Sequence, residues 1–288
     1  MRWIVGIDLL DHAGGAMQLA GWLRTQRRTD CEQEFVALHI VTDDVRGTVE
    51  GDELAALLER GRSAMRAAMQ PSGVVSPFVD LVVEPAPDAV TGLVRAAATP
   101  GIEGLLVGRL AARDSHALVR LGRVTRHLLR RLPAPVMVAP PDLRRGDIGR
   151  GPLLAATDLS PTSISAVRMA VRLAAELDRE LVVAHVDSSV QVVPSFVGEG
   201  AVLALRLPQR TIGDVAQWMA QHELGRAECR ILDGTIVDAL LGEAARIDAP
   251  ILVCGAEHLS PVERFFTASV AGDLARLSDR AVLVVPAI

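Results

Sequence analysis

The stretch Leu-Leu-Ala-Ala-Thr-Asp at residues 153–158 is an apolar run that ends in an aspartate, and Trp-Ile-Val-Gly-Ile-Asp at residues 3–8 has the same form. Three more pairs of apolar runs follow in the same order and with similar spacing: 35–40 with 181–186, 105–108 with 252–255, and 135–140 with 281–286. Four collinear matches are difficult to obtain by chance. The chain is therefore predicted to contain two consecutive copies of one fold.

The predicted strands are continuous apolar runs rather than alternating ones. Strands of this kind are typical of a parallel sheet that is buried on both faces. Because helical stretches separate them, the pattern predicts an α/β protein with two tandem doubly wound domains. We place these domains at residues 1–142 and 151–288, joined by a polar linker at residues 143–150 that is flanked by proline and glycine.

Capping residues mark the expected helix starts. Ser160 is expected to cap a helix that has proline at its first position, and a helix of the first half is expected to start at Asp88. Thr235 with Asp238 resembles a capping box. The least regular segment, residues 188–210, is interrupted by proline and glycine, so it is predicted to be a loop with a short helix.

Length and composition indicate an ordered protein. The chain has 288 residues, of which 50% are hydrophobic, so it can form two cores and is not disordered. It has no run of 18 apolar residues, and the first predicted strand begins too early to leave room for a signal peptide. The three cysteines lack paired spacing, which indicates a reducing compartment. We therefore expect a cytosolic protein without a membrane partner.

Charge excludes further classes. The net charge of −5 counts against general nucleic-acid binding, which depends on neutralising phosphates. All 30 basic residues are arginine. Because the chain has no lysine, it cannot be a P-loop ATPase or an enzyme that forms a lysine Schiff base.

In both halves, a strand that ends in aspartate, a later strand that ends in glycine, and a final Pro-Val-x-Val or similar strand together resemble the universal stress protein family. The stretches that carry the resemblance are residues 156–160 with Ala166 and 268–286 in the second half, and 107–108 and 124–138 in the first. The resemblance covers nearly the whole chain. It implies five parallel strands per half in the order 3-2-1-4-5, and dimerisation through the last strand. We expect the two halves to form an intramolecular pseudo-dimer, and a homodimer stays open.

Some members of that family bind ATP through a Gly-x2-Gly-x9-Gly-Ser/Thr loop after the fourth strand. Glycines allow backbone N–H groups to approach the phosphates, and a helix N-terminus completes the site. In the first half Gly108 and Gly122 remain, but Ala111 replaces the second glycine and Arg123 stands where the hydroxyl belongs.

The second half departs from the same pattern. Gly255 and Ser269 remain, but His258 and Ala268 replace the next two glycines. Four departures across two sites disfavour ATP as a cofactor, and no other cofactor is predicted.

Asp8 and Asp158 end the first strands of the two halves, where open α/β sheets bind their ligands. Contact with a ligand and capping of the following helix both fit this position. His39 and His185 lie within apolar strands and are expected to be satisfied core residues. The sequence contains neither a recognisable nucleophile–base pair nor Cys/His pairs at metal spacing, so we predict no catalytic residue and no metal site.

Seven arginines and one acid lie between residues 109 and 131. Arg123, Arg126 and Arg130 recur at helical spacing and share a face. They form either a solvated helix face or an anion site at the helix start near Gly122. The equivalent stretch of the second half intersperses acids among its arginines, so it is not expected to bind anions.

The sequence therefore predicts a non-enzymatic, cytosolic stress-response module for binding or signalling, with a degenerate nucleotide loop in both halves. Two alternatives stay open: a stress sensor for ATP or another adenine nucleotide, and a small-ligand hydrolase on the same fold. The candidate ligand-contacting residues are Asp8, Gly108, Gly122, Arg123, Asp158, Gly255 and Ser269. An anionic small ligand is expected near Arg123, Arg126 and Arg130.

Overall fold

The computed structural model describes residues 2–26, 34–69, 78–110, 121–187, 190–194, 202–206, 210–256 and 269–287. In the first half, strands and helices alternate. Their bounds are β1 (Arg2–Gly6), α1 (Gly14–Gln26), β2 (Glu34–Thr42), α2 (Asp43–Arg46), α3 (Gly51–Met69), β3 (Phe78–Ala86), α4 (Ala89–Ala97), β4 (Ile102–Gly108), α5 (Arg123–Arg131) and β5 (Val136–Ala139).

The second half repeats this order with one exception. Its elements are β6 (Leu153–Ala156), α6 (Ile164–Glu176), β7 (Leu181–Asp187), β8 (Val190–Pro194), β9 (Val202–Arg206), α7 (Ile212–Gln221), β10 (Glu228–Asp233), α8 (Ile236–Arg246), β11 (Ile251–Gly255), α9 (Val270–Leu277) and β12 (Ala281–Val285). A strand pair and one helix, α7, stand where the first half has the two helices α2 and α3.

The strand pair lies in the segment 188–210, for which a loop with a short helix was the wrong prediction. The structure forms two antiparallel strands there, β8 and β9, with Val190 opposite Arg206. The β-branched residues of β8 favour the extended backbone. Pro194 is the last residue of its strand, where its missing N–H costs the least pairing.

The main sheet has ten strands in the order β10-β7-β6-β11-β12-β5-β4-β1-β2-β3. Read from each half's own first strand, this is the order 3-2-1-4-5, so the predicted α/β fold is confirmed. In this ten-stranded sheet, the strands of one half pair in parallel, whereas the last strands of the two halves pair antiparallel, with Leu283 opposite Met137. The two five-stranded sheets are therefore continuous.

Each face of the sheet carries one apolar core that runs through both halves. Val5 and Leu283 belong to the core under α1 and α6, whereas Ile4 and Val284 belong to the core under α4 and α9. Because neighbouring residues of one strand point to opposite faces, both must be apolar. This double burial explains why the strands are continuous apolar runs in the sequence.

The helices begin at the positions that the sequence predicted, but not every predicted cap makes its hydrogen bond. Asp88 precedes α4 and accepts a hydrogen bond from the Thr91 N–H (2.9 Å), as expected of a cap. Helix α8 begins directly after Thr235, but the Thr235 hydroxyl donates to the Asp238 carboxylate (2.5 Å) and caps no backbone group.

The segment between β5 and β6 packs against the rest of the molecule. Leu143 and Ile148 are buried in the core under α1 and α6. The N–H groups of Arg150 and Gly151 donate to the side chain and the carbonyl of Asp248 (2.8 and 2.9 Å). Within the residues given above, no helix combines the length and apolar character needed to cross a membrane.

Candidate ligand-binding site

A cavity of about 560 Å³ lies in the second half, at the carboxyl ends of its parallel strands. The ends of β6, β7 and β11 contribute to its lining, and the strand order reverses between β6 and β11. The starts of α8 and α9 contribute further lining residues, and part of α5 from the first half completes it. This is the position at which open α/β sheets hold ligands.

The Asp158 loop forms a polar part of the cavity wall. Asp158 Oδ1 accepts hydrogen bonds from the N–H (2.9 Å) and the hydroxyl (2.6 Å) of Ser160. Desolvation at the wall raises the pKa of Asp158, but the hydrogen bonds to its carboxylate, led by those from Ser160, together outweigh desolvation, and the pKa lies below its usual value. The side chain of Ser160 thus holds the carboxylate of Asp158 in place. The prediction that Ser160 caps the following helix was wrong, because its side chain makes no capping hydrogen bond.

Two more hydroxyls of this loop are bonded to each other. Thr157 Oγ1 and Ser163 Oγ lie 2.8 Å apart and are buried. The Leu159 N–H donates to Thr157 Oγ1 (2.9 Å), and the Ser163 hydroxyl donates to the Ser160 carbonyl (3.0 Å). These bonds hold a tight turn in which Leu159 has a φ of 64°. These hydroxyl groups therefore stabilise the conformation of the loop.

The two strand histidines hold backbone carbonyls, as expected of structural residues. His185 Nδ1 donates to the Thr157 carbonyl (2.9 Å), and His39 Nδ1 donates to the Ile7 carbonyl (2.8 Å). Each bond ties a second strand to the loop after a first strand. His185 also lines the cavity.

The N-terminus of α9 faces the same cavity. Ser269 caps this helix, because its hydroxyl oxygen accepts from the Gly272 N–H (3.0 Å). Val270 and Ala271 line the cavity, and their N–H groups belong to the first turn, which has no intrahelical acceptor. Gly255 lines it as well, so the structure brings Asp158, Gly255 and Ser269 together.

The arginines of α5 lie elsewhere than the sequence predicted. Arg126, Arg130 and Arg131 line the cavity of the second half, and Arg123 does not. An anion site around Gly122 was predicted from Arg123, Arg126 and Arg130. Two of these three arginines, Arg126 and Arg130, instead line the cavity of the second half. The physical reason is the antiparallel pairing of β5 with β12, which sets the end of α5 beside the start of α9.

Arg109 was counted with this arginine cluster, but it is 1% exposed. Its guanidinium donates to the Arg276 carbonyl (2.9 Å) and to the Ser278 carbonyl (2.7 Å). Both carbonyls lie at the C-terminal end of α9, where a cation is favoured by the helix dipole. Arg109 thus joins the end of β4 in the first half to the last helix of the second.

The first-half counterparts lie outside the cavity. Asp8 accepts from the Leu10 N–H (2.9 Å), and its second oxygen lies 2.9 Å from His12 Nδ1. A Cβ at Gly108 would lie 2.1 Å from the His12 carbonyl oxygen, so this glycine is required by close backbone packing. Gly122 precedes α5 with a φ of 72°, which favours glycine.

The equivalent approach in the second half is looser. A Cβ at Gly255 would lie 3.2 Å from the Thr162 carbonyl oxygen. The three remaining loop positions, Ala111, His258 and Ala268, lie outside the described residues. The two halves therefore differ in how closely the neighbouring backbone approaches this glycine, and they also differ in the charge of the stretch that follows it.

Cys254 contributes a buried thiol to the cavity lining. Burial raises the pKa of Cys254 to about 12, so the thiol stays protonated at neutral pH. Within the described ranges, no group of three or more His, Cys, Asp or Glu residues could hold a metal ion.

A continuous sheet with the strand order 3-2-1-4-5 in both halves, and a cavity at one order reversal, define a tandem doubly wound α/β protein. The model of the Universal stress protein family matches residues 149–286. The second half thus belongs to that family, and the whole chain fits a tandem-domain member. A search of curated proteins finds no match.

Two solved structures with this fold cover both halves, and a third solved structure aligns with about half of the chain. A universal stress protein from Archaeoglobus fulgidus is 16% identical, with 99% of this chain and 96% of that chain covered and a TM-score of 0.66. A functionally unknown protein from Pseudomonas aeruginosa is also 16% identical, with 99% and 92% covered and a TM-score of 0.59. A universal stress protein in complex with cAMP is 24% identical, with 49% and 99% covered and a TM-score of 0.36.

Proposed function

We propose that the protein is a non-enzymatic binding module of the cytosolic stress response, and that the cavity of the second half holds its small-molecule ligand. The observation that carries this proposal is the cavity itself. Its volume of about 560 Å³ lies within the range of small-molecule pockets, roughly 300–1,000 Å³. It also lies at the strand-order reversal, and both polar and apolar side chains line it.

The bonding of the polar groups supports binding over catalysis. The Ser163 hydroxyl is engaged with Thr157 and with a backbone carbonyl. The lowered pKa of Asp158 makes this carboxylate a weak base, and the raised pKa of Cys254 makes this thiol a poor nucleophile. A hydrolase would need an activated nucleophile or water, and these residues do not supply one.

An adenine-nucleotide sensor is the second candidate, because Gly255, Ser269 and the start of α9 remain at the cavity. A helix N-terminus favours a phosphoryl group. The loss of the other loop glycines still disfavours ATP, whose polyphosphate needs several backbone N–H groups. A ligand with a single phosphoryl group makes a smaller demand on the loop.

The strand pairing bears on self-association. Because β5 and β12 already pair within the chain, the surface expected to form a dimer is occupied. We propose that the halves act as an intramolecular pseudo-dimer, and that a homodimer would need another surface.

Calorimetry with adenosine and with AMP, in the wild type and in Ala256→Trp, tests the proposed cavity. Ala256 is half-buried and lines the cavity, so the indole would occupy part of its volume. We expect one ligand per chain in the wild type and at least tenfold weaker binding in Ala256→Trp.

Ala220→Trp, at an exposed position on α7, is the matched control and should bind as the wild type does. If neither compound binds the wild type, or if Ala256→Trp binds as tightly as the wild type does, the proposal is contradicted.

A further inference from the structure

The cavity of the second half is completed by residues of the first half. Arg126, Arg130 and Arg131 are exposed side chains of the last two turns of α5, and all three line the cavity. Arginine at a helix C-terminus can also serve the helix dipole, which accounts for a charge at this end of α5. The helix dipole does not explain why these arginines line a cavity of the other half, because that arrangement depends on the pairing of the two halves.

The charges along the cavity are unevenly distributed. Its acidic lining residues are Asp158 and Asp273. Asp273 is paired with Arg276 at 2.9 Å, and Asp158 accepts hydrogen bonds from Ser160. No carboxylate of the described part of the chain forms an ion pair with Arg126. The α5 residues that line the cavity thus include three arginines and no acid, and Asp88, before α4, is the acid that interacts electrostatically with Arg131.

Apolar side chains face the same space. Leu129 of α5 and Ile236 and Leu240 of α8 line the cavity together with the arginines. A site with an apolar wall and several guanidinium groups favours a ligand that combines apolar surface with a compact anionic group. Guanidinium groups bind phosphoryl oxygens through paired, charge-assisted hydrogen bonds.

We propose that the first half supplies arginine ligands to the site of the second half, and that this composite site binds a small molecule that carries a phosphoryl group on a partly apolar body such as a nucleoside. This inference rests on the proposed function, because it identifies the ligand class of the same cavity. It reverses the sequence-based expectation that only the first half binds anions. A ligand held in this way contacts both halves, so its binding stabilises their pairing.

The test compares AMP with adenosine, which differ by one phosphoryl group, in calorimetry at fixed ionic strength. The variant is Arg126→Ala combined with Arg130→Ala. We expect the wild type to bind AMP at least tenfold more tightly than adenosine. The double variant should lose this preference while its affinity for adenosine stays within twofold of the wild type.

Arg168→Ala combined with Arg226→Ala is the matched control. Both arginines are exposed and lie away from the cavity, so this variant has the same net charge without the local change. It should keep the preference for AMP. Circular dichroism and thermal unfolding verify that each variant is folded.

The outcomes separate this inference from the proposed function. Equal affinity for AMP and adenosine at an Ala256→Trp-sensitive site would overturn the composite anion site and leave the binding function standing. The same holds if the cavity arginine variant weakens both compounds equally, or if the control loses the preference too. If neither compound binds at a site sensitive to Ala256→Trp, the proposed function fails and the inference fails with it.

Discussion

Replacing Arg109 with alanine removes the side chain that joins the end of β4 to the last helix of the second half. The guanidinium donates to the Arg276 and Ser278 carbonyls at 2.9 and 2.7 Å, and the residue is 1% exposed. Water cannot readily replace the lost donor at a site this buried. The variant therefore leaves two carbonyl groups at the end of α9 without this partner.

The expected loss of stability follows from these two bonds. A hydrogen bond from a charged donor contributes about 1.5–3 kcal/mol, so Arg109→Ala should lower the free energy of unfolding by about 3 kcal/mol or more. The unfolding entropy is about 2.1 cal/mol/K per residue, so for 288 residues each kcal/mol corresponds to about 1.7 °C of melting temperature. We therefore expect the melting temperature to fall by roughly 5 °C or more.

Urea unfolding followed by circular dichroism measures this loss, with thermal unfolding as a second readout. Arg168→Ala is the control, because Arg168 is an exposed arginine of α6. Its effect should stay within about 0.5 kcal/mol, as for surface substitutions in general. If Arg109→Ala unfolds at the same urea concentration as this control, the two carbonyl contacts contribute no stability and the reasoning is wrong.

Three further predictions concern the glycines, ATP and the buried thiol. Gly108→Ala should lower the free energy of unfolding by about 1–3 kcal/mol, because the new Cβ would lie 2.1 Å from the His12 carbonyl oxygen. Gly255→Ala should lower it less, because its Cβ would lie 3.2 Å from the Thr162 carbonyl oxygen. Equal urea midpoints for the two variants would contradict this prediction. Mg-ATP should bind no more tightly than about 100 µM in calorimetry, equivalent to roughly −5.5 kcal/mol, and a low-micromolar constant would refute it. Burial raises the pKa of Cys254 to about 12, so its thiol should resist iodoacetamide at pH 8 in the folded protein and react after unfolding. Peptide mass spectrometry measures the labelling. Rapid labelling of the native protein would contradict the burial of this thiol.

The sequence predicted most of the fold because the sheet is buried on both faces. A strand such as β12 must be apolar at every position, and an apolar run of this length is visible without any structure. The hairpin β8–β9 was missed because proline and glycine within residues 188–210 indicated a loop. Local composition did not show that two short strands in this segment pair with each other.

The candidate site was only partly visible in the sequence. Asp158, Gly255 and Ser269 come together because the ends of parallel strands and the start of the next helix share one edge of the sheet. The contribution of Arg126 and Arg130 to the other half was missed, because it depends on the antiparallel pairing of β5 and β12 and not on local spacing. Their helical spacing showed a shared face, but not what that face contacts.

A crystal structure of the protein with AMP tests the central claim most directly, because both candidate positions can be inspected in one density map. We predict ligand density in the cavity of the second half, with the phosphoryl group contacting Arg126 or Arg130 of α5. Density for the phosphoryl group near Gly122 in the first half, with an empty cavity in the second, would contradict the account.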